Sequence, residues 1–249
     1  MSGHSKWASI KHKKAIVDSR RGQQFTKLAR AITVAAREGG GDPEANAALG
    51  NAVQKAREAS MPKDNIERAI AKGTGAGADA DAVEAVAYEA YGPGGVALYV
   101  DALTDNRNRT GAEVRHLLGK HGASLGQPGS VAYLFELRGM VVVDADTYTE
   151  EDLLPAIEAG ALDIVADEDT LEVITEPAAL RAVREALEQA GVQIESAEVG
   201  QRPTTRVAVD EDTARQLFRL IESLEDNDDV SAVHANFEAS AEVIERVAG

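Results

Sequence analysis

Residues 73–82 (GTGAGADADA) divide the chain into two parts with different hydrophobic periods. Before this segment, apolar residues recur every three or four positions, which is typical of amphipathic helices. After it, apolar residues come in short blocks of strand length. The segment itself has three glycines and no apolar repeat. It therefore predicts a linker with a hinge between a helical region and a mixed α/β region.

The helical region predicts a bundle of three short helices. The first spans 20–38 and is ended by the glycines at 39–41. In the second, Asp42 is the expected N-cap and Pro43 the expected first helical residue. The third is expected to begin at Pro62. Because alanine makes many of the contacts, this bundle should be only marginally stable by itself.

The region after the linker begins with a predicted strand at 96–103. A helix reaching about Lys120 follows it, and the spacing of Thr110 and Glu113 matches a capping box at the start of that helix. Another strand is predicted at 130–137.

The stretch 140–199 has the order strand, helix, strand, strand, helix, strand, which is the ferredoxin-like pattern. The predicted strands are 140–145, 161–166, 170–175 and 192–199, and the predicted helices are 150–159 and 177–191. A strand at 204–210, a helix at 211–226 and a strand at 230–238 follow. These last elements most simply complete the sheet begun at 96–137, so the ferredoxin-like unit is predicted to be an insertion.

The predicted fold class is α+β and multidomain, with an N-terminal three-helix bundle, a middle α/β domain and a ferredoxin-like domain inserted into the middle domain. The basic arm, the bundle and the linker occupy 1–78. The middle domain occupies 79–136 and 203–249, and the inserted acidic domain occupies 137–202.

Charge divides the chain near the same linker. The protein has a net charge of −16, to which residues 1–72 contribute +7 and residues 73–249 contribute −23. Such segregation indicates that the N-terminal end attracts polyanions while the rest repels them. The inserted domain has a net charge of −12, so we expect it to face a protein partner or simply to keep the molecule soluble.

The basic arm is the first candidate site for a nucleic acid. Residues 1–30 hold eight Lys or Arg and one acid, Asp18. Trp7 lies among these cations in a segment without an evident core, which suits a stacking or anchoring side chain. The candidate residues of the arm are Lys6, Trp7, Lys11, Lys13, Lys14, Arg20 and Arg21.

A second basic segment spans 104–126. In it, Arg107 and Arg109 immediately precede the helix predicted to start at Thr110. Two arginines beside a helix N-terminus suit a phosphate group, but the same arginines have three acids close in sequence with which to pair. Those acids are Asp101, Asp105 and Glu113. The sequence leaves both interpretations open.

No motif supports an enzyme. The chain has no cysteine, which excludes disulfides, thiol catalysis and Cys-ligated zinc. It has no phosphate-binding glycine loop and no HExxH motif, and its five histidines are scattered. The acidic run 225–229 lacks the glycine and distal glutamate of an EF-hand and predicts a solvated turn. We therefore expect no catalytic residue, no metal and no cofactor.

Hydropathy argues against a membrane protein. No apolar run approaches the roughly 20 residues that span a bilayer, and the first residues lack the apolar core of a secretory signal. We expect a cytoplasmic protein without a membrane partner.

Four stretches of the sequence resemble the YebC/PmpR family, which includes the mitochondrial translational activator of cytochrome oxidase subunit one. They are 1–30, 61–70 (MPKDNIERAI), 104–110 (TDNRNRT) and 130–136 (SVAYLFE). The resemblance extends over nearly the full length and implies the same three domains. It also implies a non-enzymatic regulator of gene expression. The basic positions that match are Lys6, Lys11, Lys13, Lys14, Arg20, Arg21, Arg107 and Arg109.

The resemblance implies two possible partners. Bacterial members are usually described as DNA-binding transcriptional regulators, and by this precedent we expect the chain to bind DNA. Mitochondrial and some bacterial members point instead to a ribosome-associated factor that binds ribosomal RNA and aids translation of stalling stretches such as consecutive prolines. The bundle has no evident recognition helix, whereas structured RNA is read by shape. In either case, the acidic domains are the expected contact with the transcription machinery or the ribosome.

Overall fold

The computed structural model describes residues 21–75, 83–167 and 169–248. Residues 1–20 of the basic arm and residues 76–82 of the linker lie outside the described residues, so the predictions made for them stay predictions. The described part combines helices with several sheets, as the sequence predicts.

The N-terminal region is a helical bundle. It consists of α1 (Arg21–Gly39), α2 (Ala47–Glu58) and α3 (Lys63–Gly73). Ile32 of α1 and Leu49 of α2 are fully buried at its centre. The predicted bundle is therefore confirmed, and its first and third helices agree closely with their predicted bounds.

The cap of α2 differs from the prediction. Residues 43–45 form a turn, so α2 begins four residues after Pro43 and Asp42 is not its N-cap. Asn46 is the N-cap, because its side-chain oxygen accepts a hydrogen bond from the backbone N–H of Leu49 (3.1 Å). Its amide nitrogen donates to two carbonyl oxygens at the C-terminal end of α1, at 2.8 and 2.9 Å. One buried amide thus caps α2 and ties it to α1, which a carboxylate cannot do because it has no donor.

The rest of the described chain alternates strands and helices. The strands are β1 (Glu84–Tyr91), β2 (Ala97–Thr104), β3 (Ser124–Leu125), β4 (Phe135–Asp144), β5 (Ala161–Ala166), β6 (Thr170–Thr175), β7 (Ser196–Pro203), β8 (Val207–Ala208), β9 (Val230–Ala235) and β10 (Phe237–Glu238). The helices are α4 (Arg107–Lys120), α5 (Leu154–Glu158), α6 (Leu180–Gln189), α7 (Glu211–Glu225) and α8 (Ala241–Ala248).

The middle domain is built on an antiparallel sheet with the strand order β3–β1–β2–β9. The pairing of β9 with β2 confirms that the C-terminal elements complete the sheet begun by β2. Helices α4, α7 and α8 pack on this sheet through buried residues such as Val114, Leu217 and Ile244. Strand β1 was not predicted from the sequence, because its alanines and glutamates have low strand propensity. Helix α8 was not predicted either.

The strand β4 corrects the prediction of two separate strands at 130–137 and 140–145. Residues 132–134 form a 3-10 turn, and one continuous strand then runs from Phe135 to Asp144. Gly139 does not interrupt it, because it is paired with Thr175 on one side and with Val199 on the other. A Cβ at Gly139 would lie 2.3 Å from the Thr175 hydroxyl oxygen, so this glycine permits close packing within the sheet.

The inserted sheet has the strand order β5–β6–β4–β7, and every pair is antiparallel. With α5 and α6 as the two connecting helices, this is the ferredoxin-like topology predicted from the sequence. Pro155 lies in the first turn of α5, so that helix begins late and follows a 3-10 turn. The predicted domain limits at 136 and 202 fall inside β4 and β7, and the division into domains stays a prediction.

Ion pairs join the bundle to the inserted domain. Lys55 of α2 lies 3.1 Å from the carboxylate of Glu198 on β7. The charge of Glu198 raises the pKa of the Lys55 ammonium above its ordinary value, although burial opposes this shift. Arg181 and Arg184 of α6 pair in turn with glutamates of the bundle. The bundle therefore supplies the cation in one of these pairs and the anion in the other two.

The cap of α2 gives a stability prediction. We expect Asn46→Ala to lower the free energy of unfolding by about 2–3 kcal/mol, because it removes the N-cap and the donor to two carbonyl oxygens. Asp42→Ala should cost less than about 0.5 kcal/mol, since Asp42 does not cap the helix. Urea denaturation followed by far-UV circular dichroism measures both variants. Equal losses in the two variants would contradict the assignment of the cap.

Candidate nucleic-acid interface

The predicted site residues divide into two groups. Lys6, Trp7, Lys11, Lys13, Lys14 and Arg20 lie outside the described residues. Arg21 is the first residue of α1, so the arm joins the described part at the start of that helix. Arg107 and Arg109 both lie in the first turn of α4, and the geometry around them defines the candidate interface.

The start of α4 differs from the predicted capping box. Asn106 is the N-cap, and its side-chain oxygen accepts from the backbone N–H of Arg109 at 3.1 Å. Thr104 fixes this turn because its hydroxyl accepts from the N–H of Asn106 (2.8 Å). The helix therefore begins at Arg107, and Thr110 is a buried residue within it rather than its cap. As a result, both arginines lie inside the helix instead of before it.

A buried carboxylate, that of Asp229, lies beside this turn. The Asp229 side chain is only 4% exposed. One of its oxygens accepts from Arg109 Nη2 (2.7 Å) and from the hydroxyl of Thr110 (2.6 Å). Its other oxygen accepts from Nη1 of Arg30, which belongs to α1, at 2.8 Å. The carboxylate thus connects the bundle with the first turns of α4.

The protonation of Asp229 follows from these partners. Burial by itself would raise the pKa of the Asp229 carboxyl, but hydrogen bonds from Arg109 and Thr110 and the charges of Arg109 and Arg30 hold that pKa below its ordinary value. The hydrogen bonds to Asp229 and Asp105 in turn raise the pKa of the Arg109 guanidinium. Asp229 is therefore an anion, and Arg109 a cation, throughout the physiological pH range.

Arg107 and Arg109 differ in how much of each guanidinium is bound by carboxylates of the same molecule. Arg109 pairs with Asp105 (2.8 Å) as well as with Asp229, so part of its guanidinium is used inside the molecule. The Arg107 side chain is 62% exposed, and its Nε lies 3.3 Å from a carboxylate oxygen of Glu84. Pairing of Arg109 with Asp105 was among the sequence-based alternatives, whereas the partners Asp229 and Glu84 were not.

The acidic run 225–229 receives α1. The side-chain amide of Gln23 donates to the carbonyl oxygen of Asp226 and to the carboxylate of Asp228, both at 2.7 Å. Lys27 donates to the carbonyl oxygen of Glu225. The predicted solvated turn is therefore a docking point for the helix that follows the arm. We call residues 225–229 the docking turn.

The outer face of α4 is cationic. Its exposed residues are Arg107, Asn108, Arg109, Ala112, Arg115, His116, Gly119 and Lys120. The one acid of this helix, Glu113, accepts a hydrogen bond from the side-chain amide of Asn227 in the docking turn (2.8 Å). The opposite face, with Val114 and Leu118, packs into the core. A helix of 14 residues is about 21 Å long, so this face offers an extended row of donors for phosphate groups.

Sequence reasoning missed Arg30 and Asp229 as members of this site. No local pattern signals them, because Arg30 and Asp229 lie 199 residues apart in the sequence and Arg109 and Asp229 lie 120 apart. The part of the site that the sequence did indicate is the basic segment 104–126, which contains α4 and its outer face.

Within the described ranges, no helix is long and apolar enough to cross a membrane. In the same part of the chain, no three His, Asp or Glu side chains are grouped so that they could hold a metal ion.

Comparisons with known proteins cover almost the whole chain. A family model described as "TACO1/YebC protein N-terminal domain" matches residues 5–76. A second, described as "TACO1/YebC second and third domain", matches residues 83–237.

Full-length relatives and a solved structure agree with these matches. A "probable transcriptional regulatory protein" of Rubrobacter xylanophilus is 57% identical over 100% of both chains. A protein of the same name from Persephonella marina is 54% identical over 99% of this chain and 100% of its own. The crystal structure of a conserved hypothetical protein from Aquifex aeolicus, 49% identical, superposes with a TM-score of 0.80 over 93% of this chain and 96% of that chain.

The buried carboxylate gives a stability prediction. We expect Asp229→Asn to lower the free energy of unfolding at pH 7 by about 2–3 kcal/mol, because Arg30 and Arg109 lose their anionic partner. The folded-state pKa of Asp229 is depressed, so this contribution is present above the unfolded-state pKa of about 3.9 and is lost as the pH falls through the folded-state value. The difference between the wild type and Asp229→Asn should therefore shrink below about pH 4.

Urea denaturation at several pH values measures this difference. Asp228→Asn is the matched control: the exposed neighbour loses the same charge but keeps an oxygen that can accept from Gln23. A difference for Asp229→Asn that stays constant down to pH 3, or an equal effect of Asp228→Asn, would contradict the role of the buried carboxylate.

Proposed function

The chain belongs to the TACO1/YebC family, and from this premise we propose that it is a non-enzymatic regulator of transcription that binds duplex DNA. The proposal is supported by the names of its relatives, which are called probable transcriptional regulatory proteins, and by the cationic outer face of α4. The partner surface consists of that face together with the basic arm.

The outer face of α4 is the observation that carries this proposal. Exposed arginines on a helix with small exposed residues at Ala112 and Gly119 can approach a phosphate backbone closely. The docking turn contacts both α1 and the start of α4, and the arm precedes α1 directly in the sequence, so we include it in the proposed surface. The arm and α4 then act as one polyanion-binding surface.

Charge sets the expected strength of the interaction. If about six cations of this surface contact duplex phosphates, counterion release gives a log–log salt dependence with a slope near −5. The inserted domain has 4 basic and 16 acidic residues within 137–202. It is repelled by the same polyanion, which orients the molecule and suppresses indiscriminate coating of DNA.

A second candidate function, a ribosome-associated translation factor that binds ribosomal RNA, is favoured by one feature of the inserted domain. Leu154 and Ile157 of α5 are three residues apart and face the same side, and they are 55% and 43% exposed. Leu162 of β5 is 53% exposed. Apolar side chains on an acidic domain suit a protein partner rather than a phosphate backbone, and ribosomal proteins are partners of this kind.

The double substitution Arg107→Ala with Arg115→Ala tests the proposed function. We expect it to weaken binding to duplex DNA and to reduce the magnitude of the salt slope by about 2, because each lost phosphate contact removes about one unit. The matched control, Arg215→Ala with Arg246→Ala, makes the same charge change at exposed arginines that are paired with glutamates on α7 and α8. Fluorescence anisotropy at four salt concentrations measures both.

The same variants are tested for co-sedimentation with purified ribosomes. Loss of duplex binding with unchanged ribosome binding supports the transcriptional regulator. Loss of ribosome binding alone replaces it with the translation factor. Equal behaviour of the double variant and its control on both partners removes α4 from the interface.

A further inference from the structure

A cavity of about 430 Å³ opens in the bundle between α1 and α3. Val83, the first described residue after the linker, lines it as well. Phe25 and Met61 contribute to an apolar wall. We call this space the bundle cavity. Its volume lies in the range of pockets that bind small organic groups.

The rim of the bundle cavity is cationic. Arg30, Arg68 and Lys72 line it, and none of the described lining residues is acidic, although the chain contains 42 Asp and Glu. An apolar wall next to grouped cations fits a ligand that combines an apolar body with an anionic group.

The cations at the rim have N–H groups that can donate hydrogen bonds to an anionic ligand. Lys72 lines the cavity and its side chain is exposed. The Arg68 side chain donates through Nε to the carbonyl oxygen of Asp64 (3.1 Å) and through Nη2 to Asn65. Arg30 uses Nη1 for its contacts with the docking turn. Because a guanidinium carries five N–H donors, both arginines can also bind an anion.

The cavity is continuous with the candidate nucleic-acid interface. Arg30 lines the cavity and also donates to Asp229, the carboxylate that binds Arg109 at the start of α4. The cavity lining and the start of α4 are therefore linked through Arg30 and Asp229.

We propose that the bundle cavity binds one unpaired nucleotide of a nucleic-acid strand, with the base against Phe25 and Met61 and the phosphate held by Arg68 and Lys72. This inference rests on the proposed function and adds to it a preference for nucleic acids with an unpaired nucleotide. The amide of Asn65, which also lines the cavity, has donors for the edge of a base. A paired base must first be unstacked, which costs free energy, so the cavity favours strands that already carry an unpaired position.

Two labelled DNA hairpins test this preference, each closed by a non-nucleotide linker in place of loop nucleotides and with the same paired stem, one with a single bulged nucleotide and one fully paired. We expect the full-length protein to bind the bulged hairpin about tenfold more tightly, as measured by fluorescence anisotropy at fixed salt, because base stacking on an aromatic side chain contributes to that complex only.

Substitutions at the rim test whether the preference for the bulged hairpin arises in the bundle cavity. Thr26 is an exposed residue of α1 that lines the cavity, and Gln24 is an exposed residue of the same helix that does not. We expect Thr26→Glu to abolish the preference for the bulge. Gln24→Glu adds the same charge and should leave the preference intact. On α3, Lys72→Ala should reduce the preference, whereas Lys63→Ala should not. Thermal unfolding checks that each variant is folded.

The outcomes separate the cavity from the proposed function. Equal binding of both hairpins by the wild type overturns the cavity proposal and leaves the proposed function standing. Binding of neither hairpin overturns both. Equal weakening of both hairpins by Thr26→Glu and by Gln24→Glu shows a general charge effect, and this also overturns the cavity proposal.

Discussion

The buried carboxylate of Asp229 is the interaction on which the arrangement of the candidate interface depends. A charge inside a protein is tolerated only when it is paired and hydrogen-bonded, and Asp229 meets this condition with donors from two regions of the chain. Arg30 comes from the bundle, whereas Arg109 comes from the helix of the middle domain. Because Asp229 directly precedes β9, these contacts fix both helices to the central sheet. The start of α1 and the first turn of α4 are thereby brought to the same turn of the molecule.

Elements with a strong local pattern were predictable from the sequence, whereas side-chain contacts between residues distant in the sequence were not. The strands at 161–166 and 170–175 have their predicted bounds, because their apolar runs end at clear turn residues. β1 was missed because its side chains favour strands only weakly. At the site, the basic segment around Arg107 was recognised from charge alone. Asp229 was misjudged, since its run of acids suggests a solvated turn and its arginine partners are distant in sequence.

Charged side chains also hold regions of the chain together, through ion pairs between the bundle and the inserted domain. Lys55 and Glu198 join the bundle to the inserted domain, and arginines of α6 bind glutamates of α2 and of the turn before it. The pair of Arg181 with Glu44 is exposed and is weakened by salt, whereas the contact at Asp229 is buried and is screened much less. Of these contacts, the one at Asp229 lies at the candidate interface.

Hydrogen–deuterium exchange of the full-length protein with and without a duplex DNA tests the central claim most directly. The claim is that α1 and α4 form one polyanion-binding surface joined through Asp229. It predicts slower exchange on DNA binding at the start of α1, along α4 and in the docking turn at 225–229. The exchange of β5 and β6 in the inserted domain should not change. Slower exchange confined to the inserted domain, or to α1 without α4, would contradict the account.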